Sequence, residues 1–245
     1  MPERLIDIHS HILPGVDDGA STTEEALAML ETSQREGIGI QWLTPHLGRP
    51  PFDLPWPDLQ QRFRAFRQQV VQHGLAIEIR LAAEVHIGPH ILTLARQNAL
   101  PCCGQWEGEP AFLLELPFER IPHGTINLIH WLTRQGIRPI LAHPERLRPL
   151  QTDPGRLEAF IEAGCLIQVT AASLTGIFGA HTYEAARIFL QAGQVHFLAS
   201  DCHNLQRRPP GLRHGLAVAT DLIGETAARR LVSDNPARLL SSVCA

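Results

Sequence analysis

Two histidines two residues apart, His9 and His11, close an apolar alternation near the start of the chain, and adjacent acids, Asp17 and Asp18, follow. The same residue types recur further on, each at the end of an apolar run. They are His46 in "TPH", Glu84 in "AAEVH", Glu115 in "LLELP", His143 in "LAHPER", and Asp201 with His203 in "ASDCHN". Imidazole nitrogen and carboxylate oxygen are ligands for divalent metals, and no thiolate is in the set, which leaves Mn, Zn and Fe open. On a strand, side chains i and i+2 leave by the same face, so His-x-His and Asp-x-His could each present both groups to one ion. Five histidines and several carboxylates on one rim would repel or take up protons unless cations were present, and two or three divalent ions supply that charge. Asp17-Asp18-Gly19 alone reads as a turn. Beside His-x-His, one of its two acids becomes a ligand candidate.

Arg146 lies three residues past His143, and Arg208 five past His203. A guanidinium fork matches phosphate oxygens, so metals flanked by arginines read as a phosphate-ester site. Arg49 is a weaker third candidate. Of the other histidines, His73, His90, His123, His130, His181, His196 and His214 read as ordinary core or surface residues. His86 lies on the face of Glu84 and could support the ligands from behind.

These groups need a scaffold that gathers strand ends. Short apolar runs at Leu5–Ile8, Ile38–Leu43, Ile77–Ala83, Ala111–Leu116, Pro139–Ala142, Leu166–Val169 and His196–Ser200 read as strands. Amphipathic stretches at Thr23–Glu36, Asp58–His73, Pro89–Gln97, Thr125–Gln135, Gly155–Ala163 and Thr182–Ala192 read as helices, and Leu212–Ile223 and Glu225–Leu240 as a helical tail. Junctions such as "REGIGI", "RQGIRPI", "EAGCLI" and "QAGQVHF" put a glycine at each helix end, directly before a strand. Seven β-then-α units without a composition break predict one α/β domain with a parallel sheet, 1–245, closed or nearly closed into a barrel. In such barrels the chemistry sits at the C-terminal strand ends. Six of the seven strands end there in a metal-competent residue; only "QVTAAS" does not. The proline-rich stretch Leu47–Pro57, "LGRPPFDLPWP", is expected to form a lid or rim.

Composition narrows the function classes. The chain has 245 residues, 44% of them apolar and 19% charged, with a net charge of −4. That argues against non-specific nucleic-acid binding. No run approaches a membrane span, the N-terminus is too polar for a signal peptide, and a cytoplasmic location is expected. All 21 basic residues are arginine, which reads as genomic base bias. Five cysteines, Cys102, Cys103, Cys165, Cys202 and Cys244, form neither a disulfide framework nor a zinc knuckle.

The ordered set H-x-H, T-P-H, a mid-chain Glu, H-P-E-R and S-D-x-H resembles the PHP (polymerase and histidinol phosphatase) superfamily. "HSHILPGVDDGA", "AHPER" and "SDCHNLQRRPP" are similar to its bacterial protein-tyrosine phosphatase branch, which serves capsule and exopolysaccharide assembly. The resemblance runs from Ile6 to Leu240. It implies a distorted seven-stranded (β/α) barrel, TIM-like, with a three-metal, often Mn-dependent centre. By matching motif, His9, His11, Glu84 and Asp201 would hold one metal. Glu84 would bridge to a second, with Glu115 and His143, and Asp18, His46 and His203 would hold the third. Arg146 and Arg208 would bind the phosphoryl group. The implied substrate is a cognate bacterial tyrosine kinase, dephosphorylated on a tyrosine-rich tail, and a homo-oligomer is implied by analogy. The Leu47–Pro57 loop departs from the pattern of the branch.

The expected reaction is hydrolysis of a phosphate monoester by a metal-activated water, with no protein nucleophile. A metal-bound water or an unliganded acid such as Asp17 could protonate the leaving oxygen. Cys202 to Arg208 matches C-x5-R, the loop of cysteine-dependent tyrosine phosphatases, but that loop lacks the glycines which let backbone amides cup a phosphate. Competing readings are a phosphoesterase for histidinol phosphate or a nucleotide, a metal-dependent C–N hydrolase, and an idle metal-binding regulator of a kinase complex.

Overall fold

The computed structural model describes residues 4–52 and 54–240. Its strands are β1 (Leu5–Asp7), β2 (Ile38–Leu43), β3 (His46–Leu47), β4 (Glu78–Leu81), β5 (Glu84–His86), β6 (Gly104–Trp106), β7 (Glu109–Glu115), β8 (Arg138–Ala142), β9 (Leu166–Thr170) and β10 (Phe197–Ala199). Their hydrogen bonds form two ladders. One runs β1-β2-β4, and the other runs β10-β9-β8-β7-β5-β3. Every pairing on these paths is parallel; the antiparallel exception is β6, which turns back onto β7 through Glu107-Gly108. The chain passes from the first ladder to the second at 44–45 and again at 82–83. Beyond β1 and β10 the two ladders meet: Ser10 and Cys202 bridge in parallel, His11 N–H donates to Cys202 O at 2.9 Å, and Asp201 N–H to His9 O at 2.9 Å.

Alternation along the strands divides the apolar side chains between two cores. Phe112, Leu114, Leu141 and Ile167 pack with helix residues such as Leu30, Phe66, Phe160 and Phe189. Their neighbours Leu113, Ile140, Ala142 and Leu166 pack instead with Ile6, Ile8, Trp42 and Phe197. Strands buried on both faces read as nearly continuous apolar runs, which is why these stretches were legible as strands. Trp106 of β6 and Leu239 of the helix Asp234–Leu240 join the strand-lined core.

The helices follow their end signals. In Thr23–Arg35, Thr22 Oγ1 accepts from Glu25 N–H, and Glu25 Oε2 accepts back from Ser21 N–H, a reciprocal cap worth about 1 kcal/mol. The helices ending at Arg35, Arg134 and Gln191 stop just before the anticipated glycines.

Several expected elements are corrected. Ile77–Ala83 is shorter, Glu78–Leu81, because the chain changes ladder at Ala82-Ala83. The Gly155–Ala163 helix is a 3-10 turn, Pro154–Leu157, followed by Glu158–Glu162. The Glu225–Leu240 helix breaks at Ser233 into Glu225–Val232 and Asp234–Leu240, because Pro236 cannot donate inside a continuous helix. Among the described residues no helix is long and apolar enough to cross a membrane. Cys102, Cys103, Cys165 and Cys202 are free thiols; Cys244 lies outside the described residues.

Candidate metal centre

The histidines and acids singled out above converge on one buried cluster. Three overlapping groups have donor atoms that all lie within 4.8 Å of one another: His11, Asp18, His46 and His203; His9, His11 and Glu84; His46, Glu84 and Glu115. Glu84, His11 and His46 each belong to two groups. His143 and Asp201 touch the same cluster, with His143 Nε2 at 2.6 Å from Glu84 Oε1 and Asp201 Oδ1 at 3.5 Å from both His9 Nε2 and His11 Nε2. All nine of these residues are buried except Asp18, whose side chain is 41% exposed and closes the cluster from outside.

Strand alternation is not what aims the H-x-H and D-x-H pairs. Strand β1 stops at Asp7 and β10 at Ala199, so both pairs lie beyond the ladders. Asp201 takes a left-handed conformation (φ 51°), as does His143 at the end of β8 (φ 35°). Such backbone is uncommon for residues other than glycine and clusters at functional sites. The Ser10–Cys202 bridge then sets the pairs side by side, with the ring centroids of His11 and His203 4.0 Å apart.

Asp17 and Asp18 divide their tasks. Asp17 Oδ2 accepts from His11 Nδ1–H at 2.8 Å and from His46 N–H at 3.1 Å, while Oδ1 accepts from Gly19 N–H. Asp18 Oδ1 faces His46 Nε2 at 3.3 Å and His203 Nε2 at 3.4 Å. Gly19 permits this arrangement, since a Cβ there would meet His11 O at 1.8 Å. Asp17 thus stands here as an acceptor toward His11, His46 and Gly19. Burial alone would raise its pKa, but His11 beside it outweighs burial and holds the carboxyl below its ordinary value, hence ionised.

A layer of hydrogen bonds orients the rings. His9 Nδ1–H donates to Gln168 Oε1 at 2.8 Å, and His203 Nδ1–H to Asp201 O at 3.0 Å. Together with the Asp17 bond, these leave the Nε2 atoms of His9, His11 and His203 facing the cluster, as metal-binding imidazoles require. His86 Nδ1–H donates to Glu115 Oε2 at 2.9 Å, the supporting position expected for it. Gln168 was not anticipated. It lies on β9, the strand without a metal-competent end, and a single amide in the apolar run "LIQVT" was its one signal.

The arginines ring the cluster. Arg146 Nη1 and Arg208 Nη2 donate to the same oxygen, Asp201 Oδ2, at 2.9 and 2.6 Å. Arg146 is also held between two rings, Phe118 and Phe178, each with its centroid 4.5 Å from the guanidinium carbon, while Arg208 lies 5.8 Å from Phe178. Neither phenylalanine was legible, because an isolated aromatic carries no spacing signal. Arg49 reaches His46 and Glu115, and Phe52 stacks on His46 at 5.7 Å, so the described part of the Leu47–Pro57 stretch borders the cluster as a rim. Asp53 of that stretch lies outside the described residues.

The donor chemistry fits divalent cations. Burial opposes charge on His9, but Glu84 and Asp201 outweigh it and raise its pKa to about 9; Glu84 and Asp18 likewise raise His46 to about 10. Burial and His11 push His203 down to about 4. Burial works against ionised Asp201, yet Arg208, His9 and His203 hold it well below the usual range. Rings pulled in opposite directions within one cluster mark a site whose balance needs more positive charge than protons supply in place. His46 Nδ1 sits buried, 2.9 Å from Glu84 Oε2 without the angle of a hydrogen bond, as a nitrogen does when it aims at a shared ion.

The sequence matches the family described as capsular polysaccharide synthesis, CpsB/CapC, over residues 5–241. It is 30% identical to the tyrosine-protein phosphatase YwqE of Bacillus subtilis over 205 residues, 83% of this chain and 79% of the relative. It is 29% identical to the tyrosine-protein phosphatase CpsB of Streptococcus pneumoniae, over 96% of this chain and 98% of the relative. A structure from work on YwqE and CpsB as metal-dependent tyrosine phosphatases superposes with a TM-score of 0.88 at 28% identity, covering 96% and 94% of the two chains. The phosphotriesterase homology protein of Escherichia coli shares the fold alone, with a TM-score of 0.62 at 11% identity over 98% and 100%. With the match spanning nearly every described residue, the chain belongs to the CpsB/CapC family of capsular polysaccharide synthesis.

Proposed function

We propose that this protein is a metal-dependent protein-tyrosine phosphatase. One observation carries the reading: three donor groups overlap through His11, His46 and Glu84, and two arginines meet beside them on one oxygen of Asp201. The names of the relatives support the same activity. His9, His11, Asp18, His46, Glu84, Glu115, His143, Asp201 and His203 would hold two or three divalent ions, with Mn favoured and Zn or Fe as alternatives. When bound, such ions supply positive charge to the phosphoryl oxygens and acidify water. Arg146 and Arg208 bind the phosphoryl oxygens and offset charge as it builds. Asp201 fixes both guanidinium groups, and Phe118 and Phe178 prevent Arg146 from swinging away. Asp17 and Gln168 keep the imidazoles aimed. A phenolate leaves readily, so the chemistry places a light demand on a proton donor.

The seven strand-bearing stretches, with Ser10–Cys202 joining the last to the first, support a distorted seven-stranded barrel in one domain. The substrate would be a phosphotyrosine protein, with a cognate polysaccharide-assembly tyrosine kinase the favoured one, acted on in the cytoplasm; the enzyme would work as a homo-oligomer.

The test offers purified protein with Mn²⁺ phosphotyrosine peptides, histidinol phosphate and a dihydropyrimidine amide. Fastest release of phosphate from the peptides is expected. Preference for histidinol phosphate or the amide would replace the reading, and rates below the metal-only blank on every substrate would favour an idle regulator.

The aromatic clamp makes a second expectation. Phe178→Ala frees one face of Arg146, and a cation–π contact is worth about 0.5–2 kcal/mol. The KM for an aryl phosphate should rise roughly twofold to thirtyfold, with a smaller change in kcat. Steady-state kinetics with Phe178→Tyr as the conservative control decide it; an unchanged KM in the alanine variant would show that the ring does not hold Arg146 for substrate.

A further inference from the structure

A second cleft opens at the edge of β4, away from the metal centre. Strand β4 pairs with β2 on one side and ends its ladder there. Its continuation β5 pairs with β7, but the start of β7 pairs with β6 instead. The two walls therefore part below residue 82. An open cleft of about 730 Å³ fills the parting, with Glu78, Ile79, Arg80 and Leu81 on one side and residues 102–105 on the other. Side chains on a strand alternate between faces, so a cleft that meets four consecutive residues meets the strand's edge. At such an edge, alternate N–H and C=O groups point outward without a ladder partner.

The helix Trp56–Gln72 flanks the cleft with Trp56, Phe63, Arg64 and Arg67. Arg64 and Arg67, three apart, share a helix face. Neither makes an ion pair or hydrogen bond with any described residue. Arg80 bonds Glu78 at 2.7 Å and lies 5.4 Å from the Trp42 ring. The cleft thus carries an excess of cation in a chain whose net charge is −4.

We propose that this cleft binds an extended acidic peptide segment, which adds as a strand to the free edge of β4 while its carboxylates meet Arg64 and Arg67. Charge complementarity selects an acidic occupant. The edge selects a peptide: it offers donors and acceptors in alternation, which another peptide backbone answers, whereas a phosphodiester backbone has no donors to give. The four residues of β4 offer about 13 Å of pairing length, and Trp56 and Phe63 give apolar surface for alternate side chains. The site stands independently of the phosphatase reading.

The experiment uses the intact protein and fluorescein-labelled octapeptides of alternating Glu and Val, with a Lys-Val peptide as control. Fluorescence anisotropy should show saturable binding of the acidic peptide, about tenfold or more tighter than the basic one. The double variant Arg64→Glu, Arg67→Glu should lose that preference while keeping its rate on a small aryl phosphate. N-methylation of alternate peptide amides should abolish binding in one of the two phases, and hydrogen exchange should show protection at residues 78–81. No saturation up to roughly millimolar peptide, unaltered affinity in the double variant, unprotected 78–81 amides, or tighter binding of a single-stranded oligonucleotide would each overturn the proposal.

Discussion

Chelation with EDTA is expected to remove phosphatase activity by on the order of a thousandfold or more, while Cys202→Ser retains most of it. The two outcomes separate the metal centre from the C-x5-R pattern that overlaps it. Cys202 is fully buried, and burial, with Asp7 and Asp201 nearby, pushes its thiol well above the ordinary range. A thiol in that state is not a nucleophile. The following loop is also spent. Asn204 Oδ1 accepts from the N–H groups of Gln206, Arg207 and Arg208 at 3.1, 2.7 and 3.1 Å, and His203 N–H donates to Arg208 O. Amides bound to Asn204 cannot cup a phosphate. Rates with and without EDTA, with Mn²⁺ restored afterwards, measure the effect. Activity that survives chelation but vanishes in Cys202→Ser would reverse the assignment.

Glu84→Gln is expected to lower kcat/KM roughly a thousandfold and to cost at least part of the metal content, read by elemental analysis of the folded variant. Glu84 is the carboxylate that two donor groups share, so one neutral amide weakens both. The same residue sets the pH dependence of loading. Without ions, His9 at about 9 and His46 at about 10 are protonated at neutral pH, and Glu84 is a main reason for both. A metal needs the unprotonated ring, so binding must release protons, and affinity should rise as pH climbs from 6 to 8. Titration calorimetry in buffers of different ionisation enthalpy should show that release, and a smaller one in Glu84→Gln. Full metal content and unchanged proton release in the variant would remove Glu84 from the centre of the scheme.

Much of the site was legible because its groups are chemically unusual where they stand. Histidine and carboxylate at the close of apolar runs have few structural uses, so their order along the chain was informative even without contacts. The parallel sheet was legible for a related reason, since strands such as Arg138–Ala142 and Leu166–Thr170 are buried on both faces. What stayed hidden acts through shape. The split of Ile77–Ala83 between ladders depends on where neighbouring strands lie. The hairpin of β6 and β7 turns through Glu107 at φ 54°, and Glu carries none of the turn signal of Asn or Asp. Gln168, Phe118 and Phe178 matter through what they touch. Pro236 is different: a proline three residues past Ser233 was a readable helix break, and the amphipathic pattern outweighed it.

The bridge between Ser10 and Cys202 has a consequence for biosynthesis. His9 and His11 leave the ribosome about 190 residues before Asp201 and His203, yet all four must meet to finish the cluster. Closure over so long a separation is expected late in folding, after the local βα units. A nascent chain therefore owns an incomplete set of donors for most of its synthesis, until the first and last strands join.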